Sequence, residues 1–215
     1  MSLELSGTTP AIKGVAGSVS APAITGDDAD TGISFPSANT IKFSTGGVER
    51  MAITDSGVSG ISAGITMADQ WRITSNLSSS SGTFNANWER VDTEFDKLGT
   101  GLTQSSGVFS FPSNGLYLLH FHSTGAGNGD RYMGVILKVS TDNGANYSTR
   151  VENYASVYNS GNNTWGNVSI DVLLDVTNYA DFKFYINHSS SGTITWYGDT
   201  NNQWTGLYTL RIGDT

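Results

Sequence analysis

The sequence consists mainly of short runs in which apolar and polar residues alternate, separated by turn-forming residues. Alternation with a period of two places the apolar side chains on one face of a strand, so each run predicts a half-buried β-strand. Many short strands with little helical periodicity predict an all-β sandwich or jelly roll. The runs between residues 62 and 215 lie at 69–74, 108–111, 116–122, 132–140, 147–154, 168–176, 182–187, 193–197 and 204–212, with turn signals that include 142–144, 160–163 and 189–192.

Residues 85–98 are the one candidate for a helix. Trp88, Val91, Phe95 and Leu98 follow each other at spacings of three, four and three, which fits one face of a helix. A strand also fits this segment, and the sequence leaves both alternatives open.

The first third of the chain has too few large apolar residues to fold alone. Residues 1–23 are small and flexible in character, and residues 24–61 hold three short alternating runs with only ten large apolar side chains. Chains of this size need disulfides or association to be stable, and the sequence has no cysteine. We therefore predict an attachment segment at 1–23, a self-associated β stalk at 24–61 and a larger domain at 62–215.

The larger domain contains a spaced motif of aromatic, glycine and apolar residues. Phe109 is followed by five residues and then by Gly115, Tyr117, Leu119 and Phe121 at alternate positions. This pattern resembles that of the globular head of complement subcomponent q, which shares its jelly roll with tumour necrosis factor. Further likenesses to the same family lie at 91–98, 169–175, 181–186 and 204–210. The resemblance implies a ten-stranded jelly-roll knob that packs as a homotrimer.

A second resemblance covers the proposed stalk. Residues 18–58 are similar to the short repeat of bacteriophage tail fibres, notably at 20–24, 30–33, 43–51 and 55–58. The segments 69–74 and 87–92 also resemble those that join such stalks to knobs. This likeness implies a short intertwined β stalk on a virus particle.

The charge of the chain excludes two classes of partner. The net charge is -8, and the 11 lysine and arginine residues are scattered singly. An acidic chain repels phosphate backbones and anionic lipid, so we expect no nucleic acid and no membrane as partners.

Aromatic and amide side chains cluster in two segments near the C-terminus. Aromatic rings stack on sugar rings, while amide and carboxylate groups bond to sugar hydroxyls. We therefore predict a glycan or receptor site in the loops at 158–165 and 198–203. The predicted site residues are Tyr158, Asn162, Asn163, Trp165, Asp199, Asn201 and Asn202, with Trp196 and Trp204 expected in the core or at a trimer axis.

Metal and catalytic sites are not predicted. His120 and His122 share one face of a strand but have no third ligand close in sequence, and His188 is expected at the surface. The carboxylates at Asp27, Asp28 and Asp30 are expected to form a solvated turn rather than a calcium site. A further pair at 171 and 175 would lie about 13 Å apart on a strand, too far for glycosidase chemistry. We predict no cofactor and no enzymatic activity.

Together these features predict a trimeric fibre or spike of a virus particle that binds the host cell surface through loops of the knob. Residues 1–23 would contact other virion proteins. Assembly is expected in the host cytoplasm, with release on lysis. The alternative is a structural decoration protein of the capsid or tail that binds no receptor.

Overall fold

Seventeen β-strands and no helix make up the part of the chain that the computed structural model describes, which is residues 16–60, 64–93, 95–128, 131–158 and 161–215. Most of the predicted attachment segment therefore lies outside the described residues. By its internal contacts the chain divides into two units, Met1–Ala63 and Gly64–Thr215. The strands are β1 (Ile24–Thr25), β2 (Gly32–Ser34), β3 (Ile41–Thr45), β4 (Val48–Thr54), β5 (Gly57–Ser59), β6 (Met67–Ile73), β7 (Leu77–Thr83), β8 (Trp88–Arg90), β9 (Lys97–Leu98), β10 (Thr103–Ser105), β11 (Val108–Ser110), β12 (Gly115–Gly127), β13 (Tyr132–Ser140), β14 (Ser148–Ser156), β15 (Thr164–Val176), β16 (Lys183–Trp196) and β17 (Thr205–Gly213).

The first unit is one antiparallel sheet with almost no core. Its strands pair in chain order from β1 to β5. Among its described residues only three small side chains are buried, those of Ser34, Ser44 and Ala52. The large apolar side chains that are exposed are Ile24, Phe35, Val48, Ile53 and Val58. The sheet therefore presents to solvent the groups that normally form a core, which supports the predicted need for association.

The second unit is a sandwich of two antiparallel sheets. The front sheet has the order β15-β12-β17-β6, and the short strands β8 and β9 pair with β6. The back sheet contains β14, β13, β16 and β7, with β11 and β10 beside the start of β16. The last residues of β16 also pair with the last residues of β12, so the two sheets are joined at that end.

The core of the second unit lies between the two sheets. Tyr117, Leu119 and Phe121 project from β12 and are fully buried. Phe184 of the back sheet stacks on Phe109, with ring centroids 5.1 Å apart. Alternate residues of each strand therefore build one shared interior, and the all-β jelly-roll prediction is confirmed. The unit has twelve strands against ten predicted, and four of the twelve have only two or three residues.

Two local predictions are resolved or corrected by the structure. Residues 85–98 contain strands β8 and β9 and no helix among the described residues, with Glu94 outside them. The predicted turn at 189–192 is wrong, because β16 continues through it. The neighbouring strand β7 pairs on both sides of this segment, and the extra residues are absorbed by a register shift between Ser189 and Ile194.

A buried carboxylate ties the first strands of the second unit together. The Asp69 side chain is fully buried and accepts hydrogen bonds from Arg90 Nε at 2.8 Å, Trp71 Nε1 at 3.0 Å and the backbone N–H of Leu102 at 2.6 Å. The Arg90 guanidinium also lies 4.5 Å from the centroid of the Trp71 ring. One carboxylate thus links β6, β8 and the loop before β10.

His188 is buried rather than exposed as predicted. It follows Phe184 and Ile186 on the inward face of β16, because the strand does not turn at 189. Its ring lies 5.0 Å from that of Phe84 and 5.3 Å from that of Trp196, and Nδ1 has no hydrogen-bond partner. Burial lowers the pKa of His188 to about 4, so the imidazole is neutral at pH 7.

We expect Asp69→Asn to lower the free energy of unfolding by about 3–5 kcal/mol, because Arg90 would lose its buried partner. The matched control is Asp214→Asn, which removes the partner of Arg211 at an exposed position. That change should cost less than about 1 kcal/mol. Urea unfolding of both variants measures the difference, and equal midpoints would contradict a structural role for the Asp69 network.

We expect the protein to lose stability as the pH falls from about 6.5 to about 4. The pKa of His188 is about 4 in the folded chain against 6.5 when unfolded, so the unfolded state binds more protons in this window. The loss should reach up to about 3 kcal/mol, since one pKa unit corresponds to about 1.4 kcal/mol. Urea unfolding across this range should show a flatter pH profile for His188→Leu than for the wild type.

Candidate functional site

Both predicted binding loops lie at the same end of the second unit. One loop joins β14 to β15 and the other joins β16 to β17. Trp165 pairs with Ala126, and Trp196 with Gly125, so both loops lie where β12 ends. The chain enters this unit at the opposite end, where Met67 pairs with Arg211. About 40 Å of strand separates the two ends of β12. We call the end that carries the two loops the distal end.

Three aromatic rings meet at the distal end and form what we call the distal aromatic cluster. Trp165 stacks on Tyr197, with ring centroids 4.4 Å apart and an angle of 10° between the planes. The ring of Trp204 lies 6.0 Å from that of Trp165 and 6.3 Å from that of Tyr197. Trp165 is 56% exposed and Trp204 42% exposed. The structure therefore joins the two segments that the sequence singled out.

The two tryptophans predicted to be internal behave differently. Trp196 is fully buried, and its Nε1–H donates to the carbonyl of Ser79 at 3.2 Å, which confirms a core role. Trp204 belongs to the exposed cluster and fills no core position. Tyr197, the residue after the end of β16, lies in the cluster, whereas Trp196 points into the core.

The loop before β15 carries the other predicted residues of the first segment. Tyr158 is 75% exposed, and its carbonyl accepts a hydrogen bond from the Thr164 hydroxyl at 2.8 Å. Asn162 and Asn163 are also exposed. These side chains stand beside the cluster in sequence and are open to solvent.

The loop before β17 is shaped by Asp199. Its carboxylate accepts hydrogen bonds from the backbone N–H groups of Asn201, at 2.6 Å, and Asn202, at 2.9 Å. These bonds hold the pKa of Asp199 below its usual range. Asp199 therefore positions the loop, while the side chains of the two asparagines remain exposed.

Asn201 and Asn202 line a polar pocket of about 480 Å³ at the distal end, which we call the distal pocket. Arg72 also lines this pocket. Its side chain is 2% exposed, and Nη2 donates to Glu89 Oε1 at 3.1 Å and to Asp92 Oδ1 at 3.0 Å. The sequence did not predict this pocket. Its remaining lining residues are Gln70, Val91, Thr93, Phe95 and Gln203.

The outward face of the front sheet is apolar at its centre. Leu118 and Leu173 pair across β12 and β15, and Leu118 also pairs with Leu210 of β17. Leu173 is 66% exposed, and Leu116 on the same face is exposed as well. Ile212, at the irregularity near the end of β17, is also exposed. Both faces of this sheet therefore carry large apolar side chains.

The two histidines of β12 lie on this same face. His120 donates through Nδ1 to Asp171 Oδ1 at 2.6 Å and stacks on Tyr208, with ring centroids 4.6 Å apart. His122 donates through Nε2 to the carbonyl of Gln203 at 2.8 Å, and burial lowers its pKa. Among the described residues no group of three or more acidic or histidine side chains is placed to hold a metal ion.

Comparisons with known proteins bear on the fold. No protein-family model matches the sequence, and no curated protein matches it. The crystal structure of murine APRIL at pH 5.0 superposes with a TM-score of 0.51 at 12% identity, covering 68% of this chain and 98% of that chain. The structure of Eiger TNF from S. frugiperda superposes with a TM-score of 0.51 at 10% identity, covering 71% of this chain and 95% of that chain. The fold is a TNF-like jelly roll. At these identities the likeness establishes the fold alone.

The distal end combines the chemical groups that bind carbohydrate. Exposed aromatic faces stack on the apolar faces of sugar rings, and amide groups donate to and accept from hydroxyls.

The described part of the chain has no helix capable of spanning a membrane.

Proposed function

We propose that this protein is a homotrimeric fibre or spike of a virus particle, and that its second unit binds a glycan or receptor on the host cell surface. The distal aromatic cluster carries the proposal. Its exposed rings lie at the end of the unit opposite the point where the chain enters. A knob on a stalk meets its target with that end.

Self-association is supported by the apolar faces of both units. The front sheet exposes Leu116, Leu173 and Ile212, and the first unit exposes apolar side chains such as Val58. Burying a side chain of this kind contributes about 1.5–3 kcal/mol. Three copies are favoured because the jelly-roll family that the sequence resembles packs as trimers.

The role on a virus particle rests on the fibre-like repeat at residues 18–58. The five-stranded sheet of the first unit is formed within one chain, and intertwining between chains is part of the proposal. Residues 1–23 would attach the fibre to other virion proteins. Three weak sites on one fibre gain avidity without any new contact, which suits adhesion to a dense surface glycan.

The protein should sediment with the mass of three chains, and Leu173→Arg should dissociate it. The substitution would place three unpaired charges in an apolar interface, where burying a charge costs several kcal/mol. Leu173→Met keeps the surface apolar and serves as the control. Sedimentation velocity at micromolar concentration compares the three proteins, and a wild-type protein that sediments as a single chain would contradict the trimer.

Particles carrying Trp165→Ala together with Trp204→Ala should adsorb to host cells at least tenfold less well than wild-type particles. Removal of a buried aromatic anchor typically costs 2 kcal/mol or more, roughly a factor of thirty per site. The matched control is Tyr179→Ala, which removes an exposed aromatic ring near the opposite end of the same unit.

Particle assembly should be normal in both variants, as judged by electron microscopy. Normal adsorption by the double variant would count against receptor binding at the cluster and in favour of a decoration protein.

A further inference from the structure

The distal pocket holds polar groups that the fold itself does not use. We propose that it binds one ring of a neutral, hydroxyl-rich saccharide, as the specificity subsite beside the distal aromatic cluster. The inference rests on the proposed function, because it names the class of ligand that the distal end recognises.

The size and walls of the pocket fit a single sugar ring. Its volume of about 480 Å³ lies within the range of small-molecule sites, which is roughly 300–1,000 Å³. Phe95 supplies an aromatic wall and is 41% exposed. The polar part of the lining consists of amide and hydroxyl groups, including those of Asn201, Asn202 and Thr93. A lining that combines an aromatic ring with several polar groups matches a hexose, which has apolar C–H groups and several hydroxyls.

The buried guanidinium of Arg72 is left with an unused donor. Its Nη1 and Nη2 atoms bond to Thr93, Glu89 and Asp92, but its Nε has no hydrogen-bond partner. An unsatisfied buried N–H group costs about 1–3 kcal/mol, more when the group is charged. Because Arg72 lines the distal pocket, the wall of the pocket contains a donor that the fold leaves unsatisfied.

The amides around the pocket are partly fixed and partly available. Gln70 Nε2 donates to Gln203 Oε1, and Gln203 Nε2 donates to the carbonyl of Trp71 at 3.4 Å. These bonds orient both glutamines and leave Gln70 Oε1 as an acceptor. The Asn201 side chain makes no hydrogen bond to another described residue, so its amide offers both a donor and an acceptor.

The charges beside the pocket favour a neutral ligand. The Arg72 cation is already offset by Glu89 and Asp92, and Asp199 lies close enough to sense its field. A ligand carboxylate would face these three carboxylates as well as the cation. An ammonium group would meet the Arg72 charge. Hydroxyl groups avoid both penalties.

The loop at 198–203 connects the pocket to the aromatic cluster. Asn201, Asn202 and Gln203 line the pocket, and the residues flanking this loop are Tyr197 and Trp204 of the cluster. A short oligosaccharide can therefore place one ring on the cluster and a second in the pocket.

Binding of simple glycosides to the full chain tests the inference. The probes are the methyl glycosides of glucose, galactose and mannose, with methyl glucuronide and glucosamine as charged counterparts, followed by ligand-observed NMR titration. At least one neutral glycoside should bind with a Kd on the order of millimolar, more tightly than either charged probe. Asn201→Ala should weaken this binding about tenfold. Thr177→Ala, an exposed change at the other end of the unit, should leave it unchanged.

Three results would overturn the inference. These are no binding of any neutral glycoside, tighter binding of a charged probe, or equal binding by Asn201→Ala and the wild type. Adsorption separates this inference from the proposed function. If Asn201→Ala loses glycoside binding while the cluster variant adsorbs normally, the pocket stands and the proposed function fails. If the cluster variant loses adsorption but no neutral glycoside binds, the proposed function stands and the pocket assignment fails.

Discussion

The front sheet of the second unit carries large apolar side chains at the centre of its outer face as well as inside the sandwich, and this constraint governs the rest of the molecule. Tyr117, Leu119 and Phe121 of β12 pack inside the sandwich, whereas Leu118 and its partner Leu173 point outward. An antiparallel sheet normally has one apolar and one polar face. A sheet with large apolar side chains on its outer face is completed only when another surface covers them. The first unit also exposes large apolar side chains, and only small side chains are buried in its described part.

The distal aromatic cluster is held in place by backbone bonds to β12. Trp165 lies within β15, which pairs with β12. The backbone of Thr124 in β12 bonds to Tyr197 and Trp204, the two residues that flank the loop at 198–203. Its N–H donates to the carbonyl of Trp204 at 3.0 Å, and its carbonyl accepts from the N–H of Tyr197 at 2.9 Å. One residue of β12 therefore fixes the spacing of two aromatic side chains. A surface that is already ordered loses little entropy when a ligand binds, which favours affinity.

Most of the fold was predictable because alternation marks a strand wherever one face is buried. The predicted run at 132–140 coincides with β13. Strand β7 was missed because Leu77–Thr83 is mainly serine, so its place in the sheet comes from pairing with β16. Pairing with β13 continues β16 through Ser189 and Ser190, and the next residues lie in the irregularity opposite β7, so the segment at 189–192 is strand rather than turn. The site was predicted in part. Composition identified both aromatic segments, but the contact of Trp165 with Tyr197 and the pocket beside Arg72 depend on pairings between residues distant in the sequence.

Strand β16 belongs to the back sheet along most of its length and joins β12 of the front sheet at its last residues. This connection has a mechanical consequence. Because one strand pairs with both sheets, the sheets cannot separate at this end without breaking the bonds between Gly125–Gly127 and Ile194–Trp196. A force that opens the sandwich must therefore begin at the other end or break this seam first.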